Sequence, residues 1–344
     1  MVIGIIGASI SGLIAGKRLA EAGHAVTIIE KGRTLGGRLG TVKLDDTFLD
    51  YGLSHFEANT KTFQTFIDEL KQEGEIREWA EEFSLFDGTE FHEINPNSDP
   101  EKHYVGTDGN QSIAQKLSRW VDIKSEEKAG GLTYIGPDRS KKRSWMINLT
   151  DISVFECDAV LVATSAVEAY GLIQTVQNRT ATRRIIRHVD EVRSDGCLSL
   201  AVTYDREAPD WDGIDFEKSD LRWISNETSK RGGSGKTGLV IQSTGDFYRK
   251  HAETGDEKVK ELLLEEASKV VDSWILQPES SYLHRWKYFN ARNPIDEYFM
   301  ELEMKEAPLA LIGDYLGGNS LESAFVSGYN LAEYWINKYS EVTA

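Results

Sequence analysis

VIGIIGASISGLIAGKRLAEAGHAVTIIE, Val2 to Glu30, is the stretch whose reading decides the fold. VIGII is a short apolar run rich in β-branched residues, the composition of a buried parallel strand. GASISG, Gly7 to Gly12, follows as a loop, and SGLIAGKRLAEAG reads as a helix closed by Gly23. AVTIIE is the next strand, so the chain opens with a β-α-β unit. In such a unit Gly7 permits the tight turn and Gly12 permits close helix–strand packing. The helix N-terminus turns open N–H groups and the positive end of its dipole toward a pyrophosphate. Glu30 stands where an acidic side chain accepts hydrogen bonds from a ribose diol, which disfavours a 2′-phosphate. Ser9 occupies the place of the usual middle glycine; it is small, and its hydroxyl can donate to a phosphate. The expected dinucleotide contacts here are Gly7, Ser9, Ile10, Ser11, Gly12 and Glu30.

The 344 residues, 40% of them hydrophobic, supply a large core and one to three domains. A formal net charge of -17 repels nucleic acid. The two cysteines, Cys157 and Cys197, form no C-x-x-C pair, so neither a disulfide framework nor a metal site is indicated. No apolar run has the length of a membrane span, and a strand that starts at residue 2 leaves no room for a signal peptide. The expectation is a cytoplasmic protein without membrane or nucleic-acid partners; its oligomeric state is open.

Further along, KTFQTFIDELKQEG reads as an amphipathic helix, EFSLFDGTEFHEI as a hairpin turning at Asp87-Gly88, and NQSIAQKLSRWV as another helix. LTYIGPDRSKKRSWMINL reads as two strands around a basic turn, and ECDAVLVATSA as a buried strand. A mixed block of strands and helices follows. The chain closes with LALIGDYLGGNSLESAFVSGYNLAEYWINKY, a strand, a glycine loop and a helix with Leu321, Ala324, Phe325, Gly328, Leu331 and Trp335 on one face.

After Glu30 comes KGRTLGGRLGTVKLDDTFLDYGLSHF. A basic residue, then a glycine pair and arginine, suits a long cofactor wrapped by backbone and guanidinium. The N-terminal segment through LGGR resembles that of the FAD-dependent amine oxidase superfamily. The resemblance extends to Asp50-Tyr51-Gly52, to VATSA and to GDYLGGNSLESA. It implies FAD as cofactor, held also by Lys31, Gly37, Arg38, Gly52, Leu53, Ala163, Thr164, Gly313, Asp314, Ser323 and Ala324. The implied architecture is α/β: a Rossmann-like FAD-binding domain interleaved with an α+β substrate domain, as in amine oxidases and p-hydroxybenzoate hydroxylase. The expected boundaries are 1–59, 105–165 and 305–344 for the FAD domain, and 60–104 with 166–304 for the substrate domain.

DLRWISNETSKRGG and LHRWKYFNARNP resemble the substrate domain of the renalase-like branch, through Trp223 with Lys230 and His284 with Trp286. Trp286, Tyr288 and Trp223 are read as an aromatic wall that holds a flat ring for oxidation, with His55 beside it. His284, Lys230 and Arg285 are candidates to receive a phosphate or carboxylate. KRGGSGKT, Lys230 to Thr237, lacks the first glycine of a P-loop and reads as a hairpin loop; acidic runs such as EWAEEF read as solvated faces. FHEIN lacks the second histidine of a zinc helix. The expected function is an FAD-dependent oxidase taking a hydride from a small dihydronicotinamide-type substrate, an isomeric NAD(P)H, with O2 as acceptor and H2O2 as product. A flavin amine oxidase is the alternative, and a non-catalytic flavin-binding protein a second one.

Overall fold

The β-α-β start forms as the sequence dictates: Val2–Ile6 and Ala25–Ile29 pair in parallel on either side of the helix Ile10–Glu21. The structure is a computed structural model that describes residues 1–136, 143–177, 179–232, 236–302, 304 and 307–339. The basic turn between LTYIG and RSWMINL, and part of KRGGSGKT, lie outside the described residues.

The chain divides into two compact units, each built from separated segments. The first comprises Met1–Gly37, Ile113–Arg193 and Ala291–Ala344. Its main sheet has six strands in the order Met300–Leu302, Leu309–Leu311, Ala159–Val162, Val2–Ile6, Ala25–Ile29, Asp122–Lys124, all parallel except the first. Apolar side chains such as Ile6, Val160 and Leu311 on this sheet pack with Trp145 and Ile147 of a three-stranded antiparallel sheet. Two helices, Ala166–Gln174 and Arg179–Glu191, cover the same core through Ile173, Ile185 and Val189. The closing helix Leu321–Tyr339 lies on the first helix, and a Cβ at Gly328 would stand 2.2 Å from the Ser11 carbonyl oxygen. Glycine at 328 therefore permits the close approach.

The second unit comprises Arg38–Ser112 and Ser194–Asn290. Its sheet has seven strands in the order Ser280–Ala291, Ser194–Tyr204, Thr237–Ser243, Leu221–Asn226, Gly213–Phe216, Ser84–Phe86, Phe91–His92. Leu198, Leu200, Ile224 and Ile241 pack there against Val259 and Leu263 of the helix Asp256–Ser268. Set beside the expected boundaries, four segments cluster differently. Residues 38–59 and 105–112 cluster with the second unit, because the hairpin Val42–Leu44/Thr47–Leu49 sets Leu49 on Ala201 and Val240. Residues 166–193 and 291–304 cluster with the first, through the two helices and the edge strand just described.

Candidate functional site

In the first unit the glycine loop is built from close backbone approaches. Gly7 has φ +101°, and a Cβ there would meet the Ala163 carbonyl oxygen at 2.6 Å. At Gly12 a Cβ would stand 2.3 Å from the Gly7 carbonyl oxygen. Ser9 is the N-cap of the first helix: its Oγ accepts from the Gly12 amide at 3.4 Å and donates to the Ala163 carbonyl at 2.9 Å. The hydroxyl expected to donate to a phosphate is thus already bonded within the loop and to Ser11 Oγ. Ile10 and Ser11 are buried in the first helical turn, where amides have no intrahelical acceptor. Both Glu30 oxygens face loop amides, Oε2 accepting from Ala8 at 2.8 Å and Oε1 from Gly32 at 2.7 Å. Lys31 turns to an exposed ion pair with Glu168. Gly36 donates to the Ala8 carbonyl at 2.8 Å, and Gly37 follows with φ +55°. Ala163 is buried, and Thr164 directs its hydroxyl at the Ser165 carbonyl, 3.4 Å away.

The C-terminal corner of the same unit repeats the design. The Gly313 amide donates to Ser327 Oγ at 2.9 Å, and Asp314 beside it is buried. Ser320 Oγ accepts from the Ser323 amide at 3.1 Å, capping the helix whose first turn holds Ser323 and Ala324. The first corner depends on backbone approaches that a side chain at Gly7 or Gly12 would break, and the two helix N-termini fit a dinucleotide-type cofactor.

In the second unit the segment Asp50–Ser54 is gripped carbonyl by carbonyl. Tyr51 O accepts from Trp286 Nε1 at 3.0 Å, and Gly52 O from Gln242 Nε2 at 2.6 Å. Leu53 O accepts from Asn110 Nδ2 at 2.7 Å, and Ser54 O from Lys230 Nζ at 2.8 Å. Four successive carbonyls thus have four different side-chain donors. From the other side a Cβ at Gly52 would meet the Arg38 carbonyl oxygen at 2.0 Å, and the Leu53 amide donates to that same oxygen at 2.7 Å. Arg38 itself sends Nη1 to the Phe289 carbonyl at 2.7 Å.

Beneath this segment lie four charges, three of them fully buried. Lys230 Nζ is 2.6 Å from Glu227 Oε1 and 3.5 Å from Asp50 Oδ2; Arg231 pairs with the same two carboxylates. Glu227 Oε2 also accepts from the Asp50 amide at 2.9 Å, and Asp50 Oδ1 accepts from Thr41 and from the Asn110 amide. Lys230 and Arg285, candidates for a substrate anion, are engaged elsewhere. Lys230 is fully buried in this network, and Arg285 bonds Asp256 and three carbonyls of residues 251–254. A lysine after an aromatic strand reads as a solvent-facing cation only while its partners, distant in sequence, are unknown.

The aromatic side chains form two groups rather than one wall. Tyr51 stacks on Trp286 at 5.5 Å and 18° and touches Tyr282 and His284. Burial pushes the Tyr51 hydroxyl up to about 12. Tyr288 carries Lys287 over its ring at 5.4 Å and makes no ring contact with Trp286 or Trp223 among the described residues. In the other group Trp223 is 5.1 Å from His55 and 4.9 Å from Phe83, and its Nε1 donates to Ser54 Oγ at 2.9 Å.

This second group lines a cavity of about 450 Å³. Around it stand His55, His103, Phe83, Trp223 and Ser98 with six carboxylates: Glu57, Glu81, Glu82, Asp99, Glu101 and Asp215. No lysine or arginine is among these eleven residues. Burial, with His103, Lys230 and Arg222 nearby, holds the His55 imidazole well below its ordinary pKa, so the ring is neutral. Burial raises the Asp215 carboxyl. Sequence reading found His55 and Trp223 here and missed the carboxylates. Glu81 and Glu82 sit in a run that looks like a solvated face, and only the fold turns them toward a cavity.

Comparison with known proteins decides the family. A family description for flavin containing amine oxidoreductases matches residues 87–334, and one for NAD(P)-binding Rossmann-like domains matches residues 5–70. The chain belongs to the flavin-containing amine oxidoreductases. FAD is the cofactor of this chain, and it is an FAD-dependent oxidoreductase. A cyclohexylamine oxidase from Brevibacterium oxydans is superimposable with a TM-score of 0.71 at 11% identity, over 98% of this chain and 99% of that one. A putrescine oxidase with bound putrescine gives 0.70 at 12% identity over the same shares. Both likenesses concern the fold. A 4,4'-diapophytoene desaturase of Staphylococcus haemolyticus is 37% identical over 78 residues, 20% of this chain and 16% of that protein, so this curated relative is matched over a small part of its length. Among the described residues no helix is long and apolar enough to cross a membrane.

Proposed function

We propose that this protein is an oxidase that removes a hydride from a carbon bonded to nitrogen, and that its substrate is a small cationic amine. The observation that carries this reading is the lining of the cavity, six carboxylates without a lysine or arginine. Such a lining attracts a cation and repels a polyanion. The faces of Trp223 and Phe83 in the same wall favour an ammonium or its alkyl chain. An ammonium must lose its proton before its α C–H bond can release a hydride, so the neutral amine is the reacting form and its proton leaves to solvent. FAD held by this chain would supply the hydride acceptor, and O2 would take the two electrons from it to give H2O2. The grip on residues 51–54 keeps that backbone fixed through the reaction, so that orientation is set before substrate arrives.

One observation favours a second reading, oxidation of an isomeric dihydronicotinamide. The stacked Tyr51 and Trp286 offer a flat ring a flat partner, and both readings share a C–H bond next to nitrogen. With Lys230 and Arg285 occupied, the phosphates of such a dinucleotide lose two of the three receivers that the sequence offered, leaving His284.

The two readings diverge in their response to charge. Asp99→Asn and Glu101→Gln, both on the exposed rim, are expected to raise KM for an amine severalfold, with kcat within about twofold, and added salt to act in the same direction. Oxygen uptake measured in a salt series checks this. A KM indifferent to both variants and to salt removes the amine reading.

A further inference from the structure

The cavity wall holds a second set of groups whose chemistry is not that of hydride transfer. Phe56 and Tyr104 form an antiparallel bridge, with amide-to-carbonyl bonds of 3.1 and 2.8 Å in the two directions. Alternation along each strand then puts His55 and Glu57 on the face opposite Phe56, and sets Glu57 across from His103. His103 Nε2 is 3.2 Å from Glu57 Oε1. One ligand atom from each of His55, Glu57 and His103 lies within 4.8 Å of the others.

Three features make this more than a charge cluster. His103 Nδ1 lies 3.1 Å from the Ala80 carbonyl oxygen, which orients the ring with Nε2 toward Glu57. Metal-bound histidines are oriented in this way, by a carbonyl on the far ring nitrogen. Among the described residues His55 Nδ1 is buried without a hydrogen-bond partner, a costly state for a polar atom. The five other carboxylates of the lining add a negative field. Two imidazole nitrogens and one carboxylate oxygen form a donor set for a divalent first-row ion such as Zn2+, Co2+ or Ni2+, with a fourth position open on the cavity. Tetrahedral coordination at about 2.0–2.1 Å needs ligand atoms roughly 3.3 Å apart. A contraction by side-chain rotamer changes of up to about 1.5 Å closes the present spacing, at most 4.8 Å.

We propose that His55, Glu57 and His103 form a binding site for a divalent transition-metal ion, opening on the acidic cavity. The site does not involve the flavin, and it shares its cavity with the proposed substrate site. An ion bound there competes with any ammonium for the same negative space.

The test uses the FAD-loaded protein, stripped with chelator and titrated with Zn2+ by calorimetry. Co2+ is used in parallel, because its d–d bands beyond the flavin absorption report tetrahedral nitrogen and oxygen ligands. Saturable uptake of one ion per chain is expected. Glu57→Gln, at a half-buried position that folding tolerates, should weaken it by more than about tenfold, and His103→Ala further. His92→Ala, outside the cluster, should leave uptake unchanged. No uptake, or uptake that survives Glu57→Gln and His103→Ala together, overturns the site. Uptake is read without turnover, so it can fail while amine oxidation stands, or succeed while amine oxidation fails.

Discussion

Lys230→Met is expected to destabilise the second unit by about 3–5 kcal/mol, the cost of leaving a buried charge without its partner. Asp50, Glu227, Lys230 and Arg231 form a neutral set of two anions and two cations, and the two carboxylates and the lysine are fully buried. Methionine matches the lysine stem in length but leaves two carboxylates sharing one guanidinium. It also deprives the Ser54 carbonyl of its donor. Adding Glu227→Gln restores neutrality, so the double variant should recover part of the loss, which a purely steric defect would not. Urea unfolding followed by tryptophan fluorescence, reporting Trp79 and Trp223 in that unit, measures both. A single variant as stable as the parent contradicts the account of the network.

The same network sets an acid limit. Burial alone would raise the Asp50 carboxyl, but Arg231 and Lys230 outweigh it and hold it below its ordinary value of 3.8. Because the folded value is depressed, the stabilisation is present above 3.8 and is lost as pH falls below it toward the folded value.

The second large effect concerns the cofactor. Gly12→Ala should yield a folded protein depleted of FAD, with affinity lower by roughly 10–100-fold, the equivalent of about 1–3 kcal/mol of overpacking. The new methyl would sit 2.3 Å from the Gly7 carbonyl oxygen and 3.0 Å from Ala163 Cβ. Neither backbone can yield without moving a strand end or the helix. Ser9→Gly is the contrasting change. It removes the long cap bond to the Gly12 amide and the hydroxyl's bonds to the Ala163 carbonyl and Ser11 Oγ, but adds no atoms to the loop, and should keep its flavin. The ratio of absorbance at 450 nm to that at 280 nm in purified protein reads both. A yellow Gly12→Ala protein with full flavin contradicts this reading of the loop.

Much of the fold was legible because its signals are local. The strand, loop and helix of residues 2–30, with Glu30 at the end of the second strand, need only nearby residues to be recognised. The same holds for the closing strand and helix, where one apolar face meets the first helix. What was hidden depends on contacts between distant segments. Lys230 is buried by Asp50, 180 positions away, and a single sequence offers no means of pairing them. His103 joins Glu57 only through the bridge between Phe56 and Tyr104. Trp223 and Trp286 looked like one wall because both are aromatic strand residues. The sheet instead hands Trp286 to Tyr51 and Trp223 to His55.

The central claim, a flavin oxidase of small amines, is tested most directly by anaerobic mixing of the yellow protein with a panel of small mono- and diamines and, separately, with isomeric forms of NAD(P)H. The account predicts rapid bleaching of the flavin band by at least one amine, and recovery of the band with H2O2 when air is admitted. Bleaching by dihydronicotinamide isomers alone, or by no donor at all, would contradict it.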